Sequence, residues 1–183
     1  MKNNIFVKLF FFILFTQNIF AQILEPISWE FHVDSSELKS SGSLNLTFTP
    51  TTEIGWYIYS SDNDPDSGPR TEFEFYPNKT YKIEGGIVPV NVQTKYDEVW
   101  EANVRYLDNK GSFSQKIILS NDNPSISGHI SYQVCSEIEK MCIPLEKDFI
   151  FFNSDIRENI SYDQEMLMFE EEKSLLSFML FAL

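Results

Sequence analysis

Cysteine is almost missing from this chain: Cys135 and Cys142 are the only two in 183 residues. Histidine is equally scarce, and His32 and His129 are far apart in sequence, so no cluster with metal-ligand spacing exists. The 7 glycines form no Gly-rich phosphate loop, and no G-x-S-x-G nucleophile elbow occurs. Positive charge is short, with 14 Lys and Arg against 27 Asp and Glu and a formal net charge of -13. A chain this acidic repels nucleic-acid phosphates and anionic lipid, which excludes nucleic acid as a partner. Apolar runs are short as well: Leu9 to Phe15 and Ser174 to Leu183 both fall well below the roughly 20 residues that a membrane helix needs. No helical 3.6-residue period of convincing length precedes residue 155, and no internal repeat is found.

What is present begins with an export signal. Lys2 and Lys8 precede the apolar run Leu9 to Phe15, and Ala21 supplies a small residue for cleavage, so residues 1–21 read as a secretory signal peptide. Its removal takes away both lysines and moves the charge from -13 to -15. The remaining length suits one ordinary domain with its own core. The middle of the chain alternates apolar and polar residues: Trp29, Phe31 and Val33; Leu44, Leu46 and Phe48; then the runs Glu72 to Tyr76 and Ser112 to Leu119. Period-two alternation turns one face of a strand to a core and the other to water. Turn clusters at Asp62 to Pro69, Gly85-Gly86, Asp108 to Gly111 and Asn121 to Pro124 separate the runs. Many short strands so spaced predict an all-β sandwich or barrel. Residues 22–152 form this domain, and 153–173 read as an acidic linker. Residues 174–183 read either as a short helix docked on the domain or, as we favour, as the start of a transmembrane helix in a longer protein.

The two cysteines reach an oxidising compartment, where a lone pair forms a disulfide. Six residues lie between them, an even number that lets Cys135 and Cys142 oppose each other across a hairpin. The connection Glu137-Ile-Glu-Lys140 has no Gly, Asn or Pro, so a tight type I′ turn is disfavoured and a wider loop is expected. Pro144 cannot donate to a ladder, which places this end at an edge or rim. Closing so short a loop removes little unfolded-state entropy. Two readings therefore stand: a structural staple in an exported β-sandwich binding or adhesion module, or a working redox couple.

Tyr132-Gln-Val-Cys135 with Met141-Cys142-Ile-Pro144 resembles the cysteine segment of the N-terminal periplasmic domain of DsbD, the thiol:disulfide interchange protein. Gly55-Trp-Tyr-Ile-Tyr-Ser60 resembles that domain's aromatic strand, and Tyr96-Asp-Glu-Val-Trp-Glu101 its cap loop. The resemblance runs from Pro26 to Phe152 in the right order. It implies an immunoglobulin-like β-sandwich that relays electrons in the periplasm as part of a protein-disulfide reductase anchored in the inner membrane. Electrons would arrive from a thioredoxin-like domain of the same or a companion protein. They would pass to periplasmic disulfide isomerases and to thiol proteins of cytochrome c biogenesis. No cofactor is implied. Cys142 would form the mixed disulfides and Cys135 would resolve them. Asp97, Glu98, Val99 and Trp100 would form a cap over the sulfurs, and Tyr57 and Tyr59 would line the site. Val99 stands where a Phe is frequent in the family, and one Pro rather than two follows Cys142.

Overall fold

The computed structural model describes residues 24–38, 42–66, 68–121, 124–151 and 156. The expected signal peptide, the acidic stretch apart from Ile156, and the apolar C-terminal segment lie outside the described residues. Ten strands are described: β1 (Ile27–Asp34), β2 (Ser43–Thr52), β3 (Trp56–Tyr59), β4 (Glu72–Phe75), β5 (Tyr81–Val90), β6 (Gln93–Asp97), β7 (Ala102–Leu107), β8 (Ser112–Leu119), β9 (Ile126–Ser136) and β10 (Met141–Phe151). They build two antiparallel sheets, one in the order β1-β2-β8-β5 and one in the order β10-β9-β3-β7-β6. Strand β4 also pairs with β9, over Gly128 to Ser131, next to the stretch Val134 to Ser136 that pairs with β3. The architecture is all-β, as the strand spacing predicts, and is the immunoglobulin-like sandwich that the family resemblance implies.

Alternation decides which side chains fill the space between the sheets. Leu44, Leu46 and Phe48 of β2, Phe113 and Ile117 of β8, and Ile126, Ile130 and Val134 of β9 are fully buried. Phe48 lies at the centre, with ring centroids of Phe149 at 5.0 Å, Phe73 at 5.1 Å, Phe31 at 5.6 Å and Phe151 at 5.7 Å. Each such side chain contributes about 1.5–3 kcal/mol by leaving water. Gly128 completes this packing. The Glu74 carbonyl and the Phe149 ring, the latter from the register-paired residue on β10, occupy the space a Cβ would need. The core also reaches Ile156, which is 1% exposed and lies beyond the expected domain boundary at residue 152.

One expected turn is not a turn. Gly85-Gly86 lies inside β5, where the pairing with β8 shifts register between Glu84 and Val88. Gly85 has φ +72°, so the two glycines form a bulge in an edge strand rather than a chain reversal. Pro144 sits in β10, the edge strand of its sheet, where its missing donor costs no ladder bond.

Candidate functional site

Strand β3 sorts four aromatic and aliphatic side chains between two faces. Trp56 and Ile58 enter the main core, while Tyr57 and Tyr59 stand on the outer face of the sheet. Register pairs Tyr57 with Cys135 on β9. Val134 belongs to the core, so Cys135 faces outward and joins Tyr57, Tyr59 and Val104 in a second, smaller cluster. Cys135 is opposite Cys142 in the β9–β10 ladder, with Cα atoms 4.1 Å apart, and the two form a disulfide. The two cysteines are unequal: Cys135 is 1% exposed, whereas Cys142 is exposed to solvent.

Two hairpin loops flank the pair, and both are built the same way. The loop Glu137 to Lys140 joins β9 to β10, and the loop Glu98 to Glu101 joins β6 to β7; each has four residues between paired positions. In the first, the Ser136 hydroxyl accepts the Ile138 N–H at 3.2 Å and the Glu139 N–H at 3.0 Å. In the second, Asp97 Oδ1 accepts the Val99 N–H at 2.9 Å and the Trp100 N–H at 3.3 Å. The last loop residue is left-handed in both, Lys140 at φ 53° and Glu101 at φ 50°. Side-chain capping thus replaces the Gly or Asn signal that a shorter turn would carry.

Asp97 ties the second loop to the sheet. Its Oδ2 accepts the Tyr59 hydroxyl at 2.9 Å, and both side chains are buried. Burial first, then the neighbouring Tyr57 and Asp97, push the Tyr59 phenol well above its ordinary range. Together the loops enclose an open cleft of about 500 Å³, lined by both cysteines, Tyr57, Tyr59, Asp97, Glu98 and Val99. Trp100 is not among the residues that line it. Its ring lies instead beside Gly68, a residue with φ +145°. Val99 is 83% exposed, so it forms the rim of the cleft and does not seal it.

Sequence reading missed a charged pair across this cleft. Lys95 Nζ lies 2.7 Å from Glu137 Oε1 and 3.4 Å from the Tyr57 ring centroid. Burial alone lowers the Lys95 ammonium, but the hydrogen bond and charge of Glu137, with Tyr57, outweigh it and leave Lys95 raised. The Lys95 ammonium holds the Glu137 carboxyl below its usual value. Alternation along β6 places Lys95 and Asp97 on one face, a signal that was available; its meeting with Glu137, 42 residues away, was not.

The sequence family described as thiol:disulfide interchange protein DsbD, N-terminal, matches residues 21–154. No curated protein matches the chain. Among solved structures, it is similar to the N-terminal periplasmic domain of ScsB from Proteus mirabilis, with TM-score 0.51 and 13% identity over 79% of this chain and 54% of that one. The chain therefore spans about half the length of that relative. The N-terminal domain of DsbD from Neisseria meningitidis in its reduced form gives TM-score 0.44 and 16% identity over 71% of this chain and 90% of that one. The same domain in complex with the PilB N-terminal domain gives TM-score 0.42 and 14% identity over 70% and 87%.

Proposed function

Because the chain belongs to the DsbD N-terminal family, we propose that it is a periplasmic thiol–disulfide exchange domain and that Cys135–Cys142 is its working couple. The observation that carries this reading is the unequal burial of the two cysteines that line one open cleft. A partner thiolate attacks the exposed Cys142 sulfur, forms an intermolecular disulfide and expels Cys135 as a thiolate. The partner's second thiolate then attacks its own sulfur in that bond and releases Cys142. The partner dithiol loses two electrons, the cysteine pair gains them, and the two new thiolates take up protons from water. Run in reverse toward an oxidised substrate, Cys142 attacks and Cys135 resolves.

A thioredoxin-like domain is the donor we assign, and disulfide isomerases and cytochrome c maturation thiol proteins are the acceptors. The whole protein, on this reading, is a protein-disulfide reductase. Asp97, Glu98 and Val99 form the cap-loop rim that the partner meets; Tyr57 and Tyr59 shape the floor, and Trp100 lies on the Gly68 side of that loop.

Trapping tests the exchange reading. Cys135→Ala leaves an exposed thiol and is expected to accumulate a mixed disulfide with a thioredoxin-like protein, whereas Cys142→Ala leaves only the buried sulfur and traps none. No complex with Cys135→Ala, together with a reduction potential well below about −300 mV, would leave a structural staple as the correct reading.

A further inference from the structure

We propose that Lys95 is the counter-charge for exchange, held by Glu137 at the cleft wall and released to the sulfur that becomes a thiolate when Cys135–Cys142 opens. This rests on the exchange reading above and adds a residue to it. Three observations converge on Lys95. Its side chain is only 18% exposed, while that of its partner Glu137 is 67% exposed. Its ammonium sits over Tyr57, at 3.4 Å from the ring centroid, and within 5.1 Å of the Tyr106 ring. Tyr57 is the register neighbour of the buried Cys135, and Lys95 lines the same cleft as both sulfurs.

The arrangement lets the pair separate without stranding a charge. Glu137 can turn into water from its exposed position, while Lys95 stays anchored on the aromatic face, where a cation is favourable. Glu137 also lies between the two cysteines in sequence, on the loop that closes their hairpin. The bond that breaks and the Glu137 end of the ion pair therefore belong to one hairpin.

The cleft needs such a charge. Asp97 and Glu98 face it from the β6 end and Glu137 from the cysteine hairpin, against Lys95 and the exposed Lys140. The phenols Tyr57 and Tyr59 on β3 and Tyr96 on β6 carry no positive charge, and the chain as a whole carries -13. A thiolate expelled at the buried Cys135 meets this negative surround unless an ammonium is close. The step is the one described above: the partner dithiol supplies the electrons, and Lys95 changes its anion from carboxylate to thiolate with no proton transferred.

The two members of the pair make opposite predictions, which a merely structural tie would not. In the oxidised chain, reduction by dithiothreitol at neutral pH is expected to slow about three- to tenfold in Lys95→Gln, the range a single partly screened charge produces. In Glu137→Gln, which frees the ammonium, it is expected to quicken. Lys95→Arg should keep most of the rate. The midpoint of the alkylation pH profile of the reduced protein, read with iodoacetamide, should rise in Lys95→Gln and fall in Glu137→Gln. If both variants quicken, the pair is only a latch on the cleft, and the proposal is overturned; unchanged rates overturn it equally. Mixed-disulfide trapping with Cys135→Ala runs alongside: if it fails, the exchange reading itself has failed, and if it succeeds while Lys95→Gln and Glu137→Gln move together, only the role of Lys95 has.

Discussion

Tyr59 concentrates several demands on one hydroxyl. It is buried, its ring meets Tyr57 edge-on at 5.6 Å, and its proton goes to Asp97. Tyr59→Phe leaves a buried carboxylate oxygen without that donor and is expected to cost about 1–2 kcal/mol in urea unfolding. The same residue sets an alkaline limit. Its folded phenol ionises far above the unfolded one, so the folded state stays neutral while the unfolded chain begins to lose protons near pH 10. Stability from this group is complete below about pH 10 and is lost as pH rises toward the folded value. Unfolding followed from pH 8 to 11 should show that decline, and Tyr59→Phe should flatten it. At this scale the sequence was informative where chemistry and spacing coincide. Tyr57 and Tyr59, two apart on one strand, both stand on the outer face with Cys135. Trp100 was less legible: its ring lies beside Gly68, a loop residue far away in sequence.

Among elements, the paired hairpin loops explain why the connection between the cysteines carries no usual turn residue. Ser136 and Asp97 cap their loops, and Lys140 and Glu101 take the left-handed conformation that glycine adopts at lower cost. Lys140→Gly and Glu101→Gly should each stabilise by about 0.5–1 kcal/mol, since relief of the strain exceeds the added unfolded-state freedom. Thermal melting checks both. Gly128→Ala should act in the other direction and more strongly, costing about 3 kcal/mol, because a rigid carbonyl and a packed ring both occupy the site. The inner strands β2, β8 and β9 were legible because each buries one face and alternates accordingly. The edge strand β5 was not. Most of its residues are exposed, its pattern follows no core, and its bulge glycines look like a turn when only local sequence is read.

For the molecule as a whole, the disulfide and the fold are nearly independent. The bond links residues that an eleven-position ladder between β9 and β10 already aligns, and the loop it closes is short. Cutting it should lower stability by about 2 kcal/mol and leave one cooperative transition, measurable by unfolding with and without reductant. A relay must survive in both states, and this construction permits that. An all-β sandwich or barrel could be read from strand spacing, but the meeting of β6 with the cysteine hairpin could not, because strand order brings together residues 42 apart in sequence. That strand order has a further consequence. Strands β10 and β6 are the two rims of one sheet, yet Lys95 on one rim touches the loop that starts the other. Exposed rims elsewhere invite a second chain to add a strand, and from there aggregates grow. Here the β6 rim carries Lys95 and the β10 rim carries Pro144, a charge and a missing donor that both discourage such addition.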